Sequence, residues 1–226
     1  MSLDRYPIIG SLDRVRPQLI KPIWDDWFVW LAIGESIDGF YTSTVGSGTV
    51  SLTYNRYTVE TGTTADSRAD LFKPAGGAPM PPVNFDYELG FRCTMQQRIE
   101  PLAGRRAYIS VGEVALGAYN FLGFYVEDDT LYAATGREGV GYTTEPYGTI
   151  SLDTVYLLEA HLIPGVEAIF KVDGEEFARI TTNLPTGTDR GKFMGLRIMN
   201  PGVGENKIMD IGFWEFRMKR ILGVYV

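Results

Sequence analysis

The side chains able to do chemistry are few and poorly gathered. The chain carries one histidine, His161, and one cysteine, Cys93. An internal disulfide is therefore excluded, as are the Cys and His clusters that hold structural zinc. Any triad built on a Ser or Cys nucleophile would depend on His161 alone. His161 alternates with Ala160 and Leu162, which is the setting of a structural or surface histidine in a strand. Carboxylates are more plentiful, and two of them about 5 Å apart, one with a raised pKa, would supply a nucleophile and a general acid. The available clusters are badly placed for that. Glu127, Asp128 and Asp129 are consecutive at a turn and cannot share one strand face, and Glu175 and Glu176 follow the turn pair Asp173-Gly174 and face water.

The elements that would have to position these groups are strands. From Phe85 to Met95, Phe85, Tyr87, Leu89, Phe91, Cys93 and Met95 fall on one face and Asp86, Glu88, Arg92 and Thr94 on the other. Period two of this kind predicts a half-buried antiparallel strand. Gly76, Gly77, Pro79, Pro81 and Pro82 punctuate its start. Val166 to Thr181 reads as a hairpin, because Asp173-Gly174 between alternating runs supplies the positive φ angles of a tight turn. Further strands are expected at 27–33, 50–59, 69–73, 107–114, 122–126, 131–135, 155–162, 193–199 and 208–218. No segment reads as helical.

Before these strands, residues 1–22 mix charges with scattered aliphatics and hold Pro7, Pro17 and Pro22. They read as an extended N-terminal arm, and 23–226 as a single domain. Many short strands separated by turns, without alternating helices, select an antiparallel two-sheet sandwich over a parallel α/β fold. A length of 226 residues suits one large sandwich, and 45% hydrophobic residues give it an ample core.

Composition narrows the partners. A formal charge of −7 leaves no concentrated basic surface for nucleic acid. The most apolar stretch, Trp27 to Ile33, is too short for a membrane helix. Neither a secretory signal nor a glycosylation sequon is visible; from the charge and the short apolar run, neither nucleic acid nor membrane is expected as a partner, and no cofactor is implied.

The order of several motifs resembles the concanavalin A-like lectin and glucanase superfamily. These are the run from Gly123 to Thr135, then Thr149-Ile-Ser, Tyr156-Leu-Leu-Glu-Ala-His161, Ala168-Ile-Phe-Lys-Val-Asp-Gly174, Asn183-Leu-Pro-Thr-Gly187 and Asp210-Ile-Gly-Phe-Trp214. The resemblance covers the last half of the chain, and it implies a jelly-roll sandwich whose members include lectins, laminin G-like modules, laminarinase-type glucanases and non-catalytic domains of phage particles. Fold alone does not choose among these.

For the glucanases, the resemblance implies a Glu-x-Asp-x-(x)-Glu strand. The matching segment, Tyr108 to Ala115, offers only Glu113. A non-catalytic protein is therefore expected. For calcium-binding relatives, Asp210 with Asp25 and Asp26 would be the oxygen donors. For lectins, stacking aromatics and amides are wanted, and Trp24, Tyr119 and Asn120 are the ligand-binding candidates. Trp27 and Trp30 have opposite strand parity, so at least one belongs to the core.

A sandwich without a catalytic constellation, preceded by a proline-spaced arm, leads to the expectation of a virion component: a capsid, decoration or tail-associated protein. Its place would be the virion or the cell exterior, and the arm would clasp other copies or other virion subunits. The same arm could instead cover the domain's own sheet edge. The alternative function is a carbohydrate-binding, lectin-like module, and less favoured is a laminarinase-type glycoside hydrolase.

Overall fold

The computed structural model describes residues 27–33, 40–53, 56–74, 82–98, 103–113, 116, 119–189 and 192–219. The N-terminal arm 1–22, with Trp24, Asp25 and Asp26, lies outside the described residues, as does the expectation that an arm joins neighbouring subunits.

The described residues contain strands and turns and no helix. The first seven strands are β1 (Trp27–Ile33), β2 (Tyr41–Val45), β3 (Thr49–Thr53), β4 (Arg56–Glu60), β5 (Arg68–Pro74), β6 (Val83–Asn84) and β7 (Leu89–Gln97). Next come β8 (Arg106–Gly112), β9 (Phe121–Glu127), β10 (Thr130–Arg137), β11 (Gly141–Thr149) and β12 (Val155–Ile163). The last five are β13 (Glu167–Val172), β14 (Glu175–Ile180), β15 (Thr188–Asp189), β16 (Lys192–Met199) and β17 (Ile208–Lys219).

Two antiparallel sheets face each other. The first, sheet A, runs β14-β13-β12-β7-β17-β4-β3, with β1 also paired to β17. The second, sheet B, runs β11-β10-β9-β8-β16-β5-β2. Consecutive hairpins on each sheet, joined by crossings such as β7 to β8 and β16 to β17, make this a jelly-roll sandwich, as the alternation predicts.

Alternation explains the core. On β7, Leu89, Phe91, Cys93 and Met95 are buried, and on β9 so are Leu122, Phe124 and Val126. Phe124 packs edge-on against Phe91 of sheet A, 6.0 Å between ring centroids, and against Phe170, 5.6 Å away. Aromatic edges meeting ring faces add to area burial, so Phe124 is a central bolt between the layers. Trp214 is fully buried and stacks on Tyr57 at 6.0 Å.

Three expectations need correction. The stretch 50–59 is two paired strands, with Thr49 opposite Glu60 and Thr53 opposite Arg56; the apolar positions shift from even (Val50, Leu52) to odd (Tyr57, Val59) between them, the phase change that a reversal of the chain imposes. The strand expected from Phe85 starts at Leu89. Phe85 is buried in the turn before it, and its amide donates to Gly187 O at 2.9 Å. β2 and β11 were not foreseen: both are sheet edges with mostly exposed residues, so neither shows the apolar alternation that marks a buried face. The β13–β14 hairpin stands as expected, with φ of +53° at Asp173 and +85° at Gly174.

At one end a polar knot closes the sandwich. Asn200 is fully buried, and its amide donates to the carbonyls of Gly62, Thr64 and Glu205 at 3.3, 3.1 and 3.0 Å. One side chain thereby fastens the loop after β4 to the loop before β17.

Candidate functional site

On a two-layer sandwich the outward sheet faces are the surfaces open to ligands. The outward positions of β8 are Arg106, Tyr108, Ser110 and Gly112, of which Arg106 is exposed, Tyr108 half-buried and the last two buried. Tyr108 lies opposite Tyr125 of β9, which lies opposite Tyr132 of β10, and Tyr132 is paired with Pro146 of β11. The ring centroids are 5.1 Å apart for Tyr108–Tyr125 and 5.7 Å for Tyr125–Tyr132. All three tyrosines are half-buried. They form a ridge of aromatic edges and faces spanning roughly 10 Å across three strands.

Charged pairs bracket the ridge. Beyond Tyr108 the same register row continues to Arg197 and then Asp70, joined by bonds of 2.7 and 2.8 Å. On its flank Arg106 Nε donates to Glu127 at 3.0 Å. Burial pushes the Tyr108 and Tyr125 hydroxyls above the ordinary tyrosine range, and a hydrogen bond to Glu127 pushes Tyr125 further. Both stay neutral donors at physiological pH.

Beside the ridge runs a row of small residues, Gly195, Ser110, Gly123 and Ala134, paired in register. A Cβ on Gly123 would lie 2.1 Å from Ile109 O, so close strand approach requires glycine there. Ser110 Oγ donates to Glu113 O at 2.6 Å, which folds the segment after β8 back toward this row.

The sequence candidates fare unequally. Tyr119 is 49% exposed just ahead of β9, at the end of the sandwich away from the ridge's charged flank. Asn120 is 7% exposed and is already engaged: its Nδ2 donates to Thr186 O at 2.8 Å, and its Oδ1 accepts from the amides of Glu138 and Thr186. It clasps loops together, with three of its four hydrogen-bonding positions taken within the fold. The two are adjacent in sequence, yet only Tyr119 faces solvent.

The other singled-out groups are likewise committed. Asp128 Oδ1 accepts the Gly104 amide at 2.6 Å, and φ at Asp128 is +52°, a turn as expected. Cys93 is fully buried, and burial pushes its thiol up. Asp210 is buried with Thr58 Oγ1 on one oxygen at 2.8 Å and Arg98 on the other at 3.3 Å, while Arg56 lies 3.8 Å away. These donors occupy the oxygens a calcium ion would need, so Asp210 does not fit a cation. Among the described residues no group of three or more His, Cys, Asp or Glu gathers for a metal.

The tyrosine ridge itself was missed by sequence reasoning. Its signal was present, since Tyr108, Tyr125 and Tyr132 each sit at an outward strand position, but which strands are neighbours is a matter of topology.

Neither a protein-family profile nor any curated protein sequence matches this chain. Solved structures do share its fold. A protein of unknown function from Shewanella oneidensis MR-1 superposes with a TM-score of 0.64 at 13% identity, over 91% of this chain and 92% of that one. A family 7 alginate lyase in complex with substrate gives 0.55 at 12% identity, over 83% and 84%. Botulinum neurotoxin type C, described as interacting with two ganglioside molecules, gives 0.52 at 7% identity, and there the match covers 81% of this chain and 44% of the other. At such identities the likeness establishes the sandwich fold.

Proposed function

We propose that this protein is a non-catalytic glycan-recognition module that lays a saccharide chain along the tyrosine ridge of sheet B. The observation that carries the reading is the in-register row Tyr132–Tyr125–Tyr108, half-exposed and flanked by Arg197–Asp70 and Arg106–Glu127. Sugar rings offer apolar C–H faces and a rim of hydroxyls. Aromatic side chains cover the first and charged pairs bond the second.

The outward face of β8 supports the non-catalytic part. Where a glucanase would project carboxylates, the outward positions of this strand hold the exposed Arg106, the half-buried Tyr108 and the buried Ser110 and Gly112, and Glu113 follows the strand end. The structural relatives in complex with an alginate substrate or interacting with gangliosides lend the sandwich a precedent for saccharide ligands.

Glycan-array binding of the full chain tests this, followed by titration of the best hit. Tyr125→Ala is expected to weaken binding about fivefold to tenfold, since a stacked ring contributes on the order of 1 kcal/mol, while the hydroxyl is engaged by Glu127. Tyr125→Phe should retain most of it. Binding indifferent to Tyr125 and Tyr108, or none at all, overturns the ridge as the site; release of reducing sugar overturns the non-catalytic assignment.

A further inference from the structure

The opposite face of the molecule carries a second depression, of about 270 Å³, on the outward side of sheet A. Its floor is Gly90 on β7. In register, Gly90 lies between His161 of β12 and Arg217 of β17. Each neighbour bears a long polar side chain and Gly90 bears none, so a trough opens between them. A side chain could not simply be added: a Cβ at Gly90 would come within 2.8 Å of Ala160 O.

The walls are cationic and specifically oriented. Glu215 accepts from Arg92 Nε and Nη2 on one oxygen, at 3.0 and 2.7 Å, and its other oxygen forms an ion pair with Arg217, 2.7 Å from Nε. One half-buried carboxylate therefore fixes two guanidiniums side by side. Four cations, Arg92, Lys171, Arg217 and, 3.6 Å from Glu88, Lys219, meet the three carboxylates Glu88, Glu159 and Glu215. This is a local excess of positive charge on a chain whose formal charge is −7. His161 Nε2 sits 3.0 Å from Glu88 Oε1, while its Nδ1 is the ring atom that overlooks Gly90. Trp27, at the start of β1, closes one side with an indole.

We propose that this trough is a binding site for a monosaccharide-sized ligand bearing a carboxylate, an acidic sugar. Arg217 and Arg92 take the carboxylate through their remaining N–H groups, in the planar geometry that guanidinium offers to carboxylate. Trp27 covers an apolar ring face. With Nε2–H given to Glu88, His161 Nδ1 accepts from a sugar hydroxyl. The volume suits one sugar unit, falling just below that of pockets for drug-sized ligands. This site lies on the sheet opposite the tyrosine ridge and stands independently of it.

The test titrates the full chain with glucuronate, glucose and inorganic phosphate by calorimetry. Glucuronate is expected to bind saturably at one site, with glucose and phosphate at least tenfold weaker. Arg217→Ala and Trp27→Ala should each weaken glucuronate about tenfold or more, with unchanged circular dichroism, because both side chains are partly exposed. Arg217→Gln, which removes the charge but keeps a polar side chain, provides a second check. Tyr125→Ala should leave glucuronate binding unchanged, which separates this site from the ridge. Absence of saturable binding, equal binding of glucose or phosphate, or indifference to Arg217 overturns the proposal.

Discussion

Arg197 and Asp70 face each other across β16 and β5 in a two-point ion pair, Nε to Oδ1 at 2.7 Å and Nη2 to Oδ2 at 2.8 Å, with Asp70 only 3% exposed. The pair ends the tyrosine row and ties the middle of sheet B to the strand beside its edge. Arg68, 3.3 Å from the same carboxylate, supplies a further cation. Removing the main partner strands a buried charge. Arg197→Ala is expected to lower stability by about 2–4 kcal/mol, measured by urea unfolding, with the double variant Arg197→Ala/Asp70→Ala recovering part of the loss.

Tyr125 makes the fold sensitive to alkali. Its hydroxyl ionises later in the folded chain than in the unfolded one, first because it is buried and next because of its hydrogen bond to Glu127. Above a free tyrosine's pKa of about 10 the unfolded state has lost a proton that the folded state keeps, so stability is full below that pH and falls as pH rises. Tyr125→Phe should flatten this decline. Denaturant midpoints taken from neutral to strongly alkaline pH check it, and identical slopes for the two proteins would refute it.

Cys93 should be chemically silent in the native protein. It is enclosed between the sheets, and burial holds the thiol in its protonated, unreactive form. A colorimetric thiol reagent is expected to label no thiol in buffer and one per chain in denaturant. The labelling rate in buffer then reports global opening.

Asn200 is the fastener most exposed to a single substitution. Without its amide, Thr64 O keeps only the Ser67 amide, and Gly62 O and Glu205 O are left to share the one hydroxyl proton of Thr61, so one of them goes unpaired. Asn200→Ala is expected to cost about 2–3 kcal/mol and to lower the thermal midpoint, because buried acceptors left unpaired keep their desolvation penalty.

Period two over Leu89 to Met95, and the Asp173-Gly174 pair, were readable before any coordinates, because burial of one strand face and positive φ at a turn are local demands on residue type. The class of fold followed from them. So did the commitment of Asp128 and Asp129 to a turn, whereas Glu127, read with them, ends β9 and pairs with Arg106.

Neither ligand face was legible in this way. Tyr108, Tyr125 and Tyr132 lie on three strands, and the guanidiniums of Arg92 and Arg217 are 125 positions apart in sequence. What joins them is strand order and register, set by how two sheets bury their inward sides together. Asn120 shows the converse: its amide looked free in sequence, and only the packing of loops around it engaged three of its four hydrogen-bonding positions. Local chemistry determined which residues could form a sheet; the closing of the sandwich decided which of their outward neighbours meet.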